Sequence, residues 1–421
     1  MTFIDVILLI VKCLIVALAA TTLFAYFTLF ERRLLAKLQH RIGPNRAGPQ
    51  GFLQPVADAV KLFFKEDITP ALADKWVYLI SPAFAVIPAL IIWATIPFGY
   101  WPDGRGGNML QVADIDVGIL YLLAITSLGV YGIAIAGWAS SNKYSMLGGV
   151  RASAQVISYE LALGLAVLGA VMQAGTFVTS EIVAAQKGWW FVIPQFLGFV
   201  IFLIASTAEV VRAPFDLVEA EQELVGGYNT EYGSMKFALF FMAEYIKLVA
   251  MNAIAVMLFF GGWNFPGLGV DGPLHTFLLA NAGPMFGAAI FGLLTLGAFL
   301  LKVTVLSFLS VWVRATMPRT RYDQLMNLGW KVLLPLALVN VVVTAVVNVL
   351  VPDNRIVAGI ITGVIGLGVL LAVTFAPKGP RRTVTLVNKR RPEPAVAALA
   401  DTNVAKLEGS GVRGQGSGVR S

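Results

Sequence analysis

The chain has one cysteine, Cys13, and two histidines, His40 and His275, among 421 residues. A single thiol cannot close a disulfide or ligate an iron–sulfur cluster within the chain. Two imidazoles so far apart in sequence argue against a His-based metal site. Charge is scarce as well: Asp, Glu, Lys and Arg make up 13% of the residues, against about a quarter in soluble domains. No Walker A loop and no GxGxxG between a strand and a helix is present, so the usual phosphate and dinucleotide fingerprints are missing. Any redox cofactor must sit in another chain or diffuse in. The N-terminus lacks a basic n-region and a small-residue cleavage site, so the first apolar run reads as a retained helix.

What fills the chain is apolar. Hydrophobic residues account for 57% of it, with a mean hydropathy of +0.77. A bilayer takes about 20 mostly apolar residues per helix. Such runs lie near 4–30, 76–99, 117–139, 151–174, 190–210, 237–261, 287–313, 331–351 and 356–376. They are continuous rather than alternating, which excludes a strand barrel. The expected fold is therefore all-α: a polytopic transmembrane helix bundle of about nine spans over 1–376, with one interfacial helix. Residues 377–421 are basic and then Gly/Ser-rich. They read as a disordered tail whose basic part rests on anionic lipid.

The net charge of +7 bears on orientation before it bears on a nucleic-acid partner, and none is expected. Segment 31–75 holds eight Lys and Arg, and Arg314, Arg319, Arg321 and Lys331 cluster near 314–331. The alternate loops hold Arg105, Lys187 or Arg355 alone, and 262–286 holds none. That alternation places the N-terminus outside and the C-terminus in the cytoplasm, with a bacterial plasma membrane as the expected location.

Ionisable residues inside such spans are costly, by about 2.5–3.5 kcal/mol even on lenient scales, and so point to function. Glu160 falls in the fourth run, Glu209 ends the fifth, Glu244 and Lys247 share a face of the sixth, and Lys302 lies mid-way in the seventh. The orientation puts the three glutamates in the cytoplasmic half. The loop 211–236 adds Asp216, Glu219, Glu221, Glu223 and Glu231. Carboxyls this dense repel one another, and in a dry site some would hold protons at neutral pH, as proton carriers do. A solvated acidic surface is the plainer alternative for the loop, and a helix–helix ion pair without transport is the plainer one for Lys247 and Lys302.

After the first run, Gly43-Pro44 and Gly48-Pro49 punctuate a basic, turn-rich stretch. Phe52, Val56, Val60 and Phe63 then recur at helical spacing, with Asp58 and Lys61 on other faces. This predicts an amphipathic helix over 51–66, lying in the cytoplasmic interface. It is either an anchor or one side of an opening for a lipid-soluble ligand.

Three stretches carry a resemblance: ERRLLAKLQHRIGPNRAGPQGFLQPVADAVKLFFKEDITP from Glu31, RAPFDLVEAEQELVGGYNTEY with FALFFMAEY between Ala208 and Tyr245, and RATMPRTRYDQLMNLGWK from Arg314. They are similar to the family of subunit 1, or the H subunit, of complex I, the proton-pumping NADH:quinone oxidoreductase, over roughly residues 1–350. The resemblance implies a membrane subunit that forms a quinone chamber with the hydrophilic arm, whose FMN and iron–sulfur clusters lie in partner subunits. It also implies a carboxylate funnel toward antiporter-like membrane subunits. The quinone, ubiquinone or menaquinone, is a substrate. By matching motif, the proton-coupling residues are Asp58, Glu160, Glu209, Asp216, Glu219, Glu221, Glu223, Glu231 and Glu244, with Lys247 beside them. The chamber and its entrance draw on Arg32, Gln39, Arg41, Phe52, Val56, Arg314 and Arg319. The ninth run and the tail exceed the eight-helix core of shorter members. The rival readings are the membrane subunit of an energy-converting hydrogenase, a stand-alone cation or proton transporter, and a purely structural anchor.

Overall fold

A computed structural model describes residues 3–101, 108–216, 226–265, 276–277, 284–351 and 355–375. Within them the chain is an all-α bundle. Its helices are α1 (Phe3–Leu38), α2 (Gln54–Phe64), α3 (Lys75–Ile91), α4 (Gly118–Ala139), α5 (Lys143–Ala174), α6 (Thr179–Ala185), α7 (Phe196–Glu209), α8 (Ser234–Phe259), α9 (Pro284–Thr316), α10 (Tyr322–Leu328), α11 (Leu334–Leu350) and α12 (Arg355–Phe375). The described strands are one two-residue hairpin, β1 (Tyr100–Trp101) with β2 (Asn108–Met109). Eight helical stretches among the described residues are long and apolar enough to cross a membrane. Residues 1–372 form one compact unit. Of the second unit, 373–421, only the end of α12 is described.

Burial sorts these helices. α8 is buried on every face from Leu248 to Phe259, as expected of a helix that is apolar all round. It is the axis of the bundle. α1 is the opposite case: Ile4, Ile7, Leu8, Leu14 and Leu18 are exposed, and suit lipid. Small residues bring other helices close. Gly137 of α4 faces Gly149 of α5, where an added Cβ would meet the opposing Cα at 3.0 Å, the close backbone approach typical of membrane helices.

Several boundaries differ from the sequence expectation for local reasons. α5 begins at Lys143, before the run expected from 151. Asn142 caps it by accepting from the Tyr144 N–H at 3.0 Å, and Gly175, at φ +77°, ends it. The last-but-one span starts at Tyr322, because a π-helical turn over Gly329–Leu333 joins α10 to α11 without a break. The interfacial segment is a 3₁₀ turn at Pro49–Gly51 followed by α2.

The run expected to span 190–210 is helical only over the 14 residues of α7, a rise of about 21 Å against about 30 Å of hydrocarbon. Pro194 lacks an N–H and stops the helix from extending backward. Polar side chains and a neighbouring helix cover the irregular segment ahead of it. Gln195 donates to Thr344 Oγ1 at 2.9 Å and accepts from Asn340 Nδ2 at 2.9 Å. Gly363 of α12 sits so close that a Cβ there would lie 2.6 Å from the Ile193 carbonyl oxygen. Non-helical backbone at membrane depth is tolerated only when protein covers it in this way.

Candidate functional site

Three residues beyond the end of α7, Arg212 reaches into the bundle with its side chain 7% exposed. Its Nη1 lies 2.8 Å from Oε2 of Glu31 on α1, and its Nε lies 2.7 Å from Oε1 of Glu244 on α8. The guanidinium also stands 3.9 Å above the Tyr245 ring. Arg314, near the end of α9, pairs with the other oxygen of Glu31. Burial works against the Arg212 charge, but the carboxylates of Glu244 and Glu31 outweigh it and hold the group above its ordinary range. The fork geometry of arginine is what lets one side chain bind two carboxylates on two helices.

One turn further along α8 a second cluster begins. Lys247 Nζ lies 2.9 Å from Oε1 of Glu209, whose side chain is 1% exposed. Neither Glu209 oxygen has a well-aligned hydrogen bond among the described residues, so charge attraction alone holds it. A small cavity of about 50 Å³ is lined by Glu209, Glu244 and Lys247. It therefore lies between the two clusters. It has room for a water or two, and is too small for a quinone ring. Beyond it Glu160 of α5 accepts a hydrogen bond from the Ser127 hydroxyl of α4 and lies within electrostatic reach of Glu209 and Lys247. Glu31, Arg212, Glu244, Lys247, Glu209 and Glu160 thus form one row through the interior.

The remaining candidates sit around this row. Asp58 on α2 pairs with Arg32 of α1 at 2.6 Å and accepts from Gln54 at 3.1 Å, tying the amphipathic helix to α1. Phe52 is half exposed and lies under the Arg33 guanidinium at 4.9 Å. Together with Tyr26, Phe30 and Leu34 it lines an open apolar slot of about 350 Å³. Val56 is exposed on α2, whereas Phe52 lies just ahead of that helix, after the 3₁₀ turn. The side chain of Arg41 donates to that of Gln39 at 2.7 Å, and the backbone N–H groups of both bond back to carbonyls of α1. Arg319 pairs with Asp216 at 3.1 Å and also binds its carbonyl oxygen. Glu231 accepts from Asn142, the N-cap of α5, at 2.6 Å. Glu219, Glu221 and Glu223 lie outside the described residues.

The geometry therefore unites Glu160, Glu209, Glu244, Lys247 and Arg314. It leaves Asp58, Arg32, Gln39, Arg41, Phe52 and Val56 at the α1–α2 edge and Glu231 on Asn142, while Asp216, paired with Arg319, lies within electrostatic reach of Glu244. Sequence reasoning missed Glu31, Arg212, Tyr245 and Ser127. A signal existed for the first two: an acid at the end of the α1 run and a lone base just after the α7 run.

Fold and site define a multi-pass membrane protein with a row of charged side chains in its interior, most of them ion-paired. A family model described as NADH dehydrogenase matches residues 11–345, and the chain belongs to that family. It is 48% identical over 341 residues to the H subunit 1 of the NADH-quinone oxidoreductase of Geobacter metallireducens, covering 81% of this chain and 96% of the relative. It is 51% identical over 338 residues to the H subunit of the same enzyme from Deinococcus deserti, covering 80% of this chain and 82% of the relative. Over 346 residues it is 51% identical to the H subunit from Deinococcus radiodurans, covering 81% and 83% respectively.

Proposed function

We propose that this chain is the membrane subunit of a proton-pumping NADH:quinone oxidoreductase, and that its interior row couples quinone reduction to proton movement. In this reading it lies in a bacterial plasma membrane, N-terminus outside and C-terminal tail in the cytoplasm. Hydrophilic-arm subunits carrying FMN and iron–sulfur clusters dock on its cytoplasmic side, and antiporter-like membrane subunits lie beyond. The quinone tail enters past α2, along the slot at Phe52.

The observation that carries this reading is the alternation of charge along the row. Glu31, Arg212, Glu244, Lys247, Glu209 and Glu160 alternate in sign up to the last two, and a water-sized cavity joins the two ion-paired clusters. Two electrons reaching a quinone beside the Glu31–Arg212 end add negative charge there. That change weakens the hold of Arg212 on Glu244, which draws a proton. Lys247 then shifts its pairing between Glu244 and Glu209, and the disturbance passes on to Glu160. The loop 211–236 with Gly226-Gly227, whose residues 217–225 lie outside the described residues, is the candidate for the element with two arrangements. No such row is needed by a mere anchor, and it would cost stability.

The test is Glu209→Gln in the assembled complex. Quinone-dependent NADH oxidation in membranes should fall at least about tenfold, as for loss of a proton-transfer group. Glu219→Gln with Glu223→Gln should lower the protons pumped per NADH. Normal pumping in both variants would refute the coupling role.

A further inference from the structure

Lys302, in the middle of α9, belongs to neither cluster. Its Nζ donates to the carbonyl oxygens of Phe260 at 2.7 Å, Gly262 at 2.9 Å and Asn264 at 2.6 Å. The rings of Trp190 and Phe265 stand 4.7 and 5.6 Å from it. Among the described residues no carboxylate pairs with it. The expected choice between an ion pair and a proton carrier is thus met by a third arrangement, a cage of carbonyls and ring faces.

The backbone is shaped for this cage. Gly261 and Gly262 adopt φ of +69° and +57°, a left-handed turn that curls three nearby carbonyls toward one point, and one that glycine takes without strain. A Cβ at Gly262 would lie 2.8 Å from Val183, and one at Gly261 3.1 Å from Trp190. The cage also closes the C-terminal end of α8. Of the carbonyls freed there, Met257 accepts from Gln186 at 2.9 Å, Phe259 from the Val192 N–H at 2.8 Å, and Phe260 from Lys302. A cation at this end also meets the negative pole of the helix.

An ammonium has three N–H donors and no acceptor, and all three are used here. A neutral amine would offer two donors to three acceptors and turn its lone pair toward a carbonyl. We propose that Lys302 is a tethered, permanent cation rather than a proton carrier. Its cage is a site for small monovalent cations that the side chain keeps filled, and the charge positions the end of the helix that carries Glu244 and Lys247. A cavity of about 190 Å³, lined by Lys187, Trp189, Trp190, Asn264 and Phe265, shares Trp190, Asn264 and Phe265 with the cage.

The experiment uses Lys302→Ala in the assembled complex, in membranes washed into choline chloride. The thermal midpoint should drop, and quinone-dependent NADH oxidation should fall about tenfold, since three carbonyls lose a charged donor. Potassium or methylammonium chloride at equal ionic strength should each restore both readings at least in part, and choline or tetramethylammonium, too large for the cage, should not. Recovery of oxidation with methylammonium but not potassium would mark a proton carrier and overturn the proposal. No recovery with either, or an unimpaired variant, would also overturn it. Should the variant fail to accumulate, its level in cells grown with methylammonium against choline chloride is read instead, and no difference there refutes the cage. The thermal reading is independent of the proposed function. Absence of quinone-dependent oxidation in the unaltered complex would sink that function and leave the cage still tested.

Discussion

Replacing Arg212 by Met is the most severe single change that the interior row predicts. Methionine keeps most of the volume and some of the contact with Tyr245, so the loss is that of the charge. Removing one partner of a buried ion pair costs about 3–5 kcal/mol, because the other charge stays buried and uncompensated. Here the two carboxylates fare differently. Glu31, with a side chain 2% exposed, keeps Arg314. Glu244 is 18% exposed and loses the one ion-pair partner recorded for it among the described residues. One surviving pair and some hydration place the cost near the lower bound, about 3 kcal/mol, or roughly a hundredfold in an equilibrium constant. A large membrane complex is best assayed as a rate, so the measurement is the inactivation half-life of the detergent-extracted complex at fixed temperature. Arg212→Met should shorten it by one to two orders of magnitude, roughly. Adding Glu244→Gln removes the stranded carboxylate and should recover much of the loss, giving a coupling of about 2 kcal/mol in the double-mutant cycle. Arg212→Lys should not rescue, since one ammonium cannot reproduce the Nε and Nη1 contacts to two helices. A single variant within twofold of the unaltered half-life, or a double variant no better than the single, would refute the claim that Arg212 bridges the two helices.

Two further outcomes follow from features outside the row. Burial pushes the Tyr232 hydroxyl up to about 12 from its ordinary 10.0, with hydrogen bonds involving Ser81 and Ser140 working against it. Between those values the unfolded chain releases this proton and the folded chain keeps it, so stability should fall as pH rises, by at most about 1.4 kcal/mol per pH unit. Tyr232→Phe should flatten that slope in denaturation curves taken from pH 9 to 12, and an unchanged slope would contradict the assignment. Gly363→Leu must push α12 away from the Ile193 carbonyl, where even a Cβ would stand at 2.6 Å. It should cost about 1–3 kcal/mol and lower the amount of assembled complex, whereas Gly368→Leu, with open space around it, should not.

The bundle was legible because the bilayer imposes so blunt a requirement. Runs of apolar length announce themselves. The short α7 was not, because hydropathy reads composition and 190–195 is as apolar as a helix; what halts the helix is the missing N–H of Pro194. The charges were half legible for a related reason. An acid inside an apolar run, such as Glu160 or Glu244, stands out against its neighbours. Glu31 and Arg212 sit at the ends of runs, where charge is ordinary, and only the folding of α1 and the 210–216 turn onto α8 makes them interior. Lys302 shows the converse. Its position in the run was plain, but its partners are backbone carbonyls, which every residue possesses and no sequence pattern marks. Side-chain partners leave a trace in sequence as residues of opposite sign, whereas backbone partners leave one only through the glycines that aim them. Gly261-Gly262, following a 26-residue helix, was that trace. A glycine pair at the end of one span, with a lone lysine mid-way in the next, is therefore a pattern worth reading as a carbonyl cage in other membrane chains.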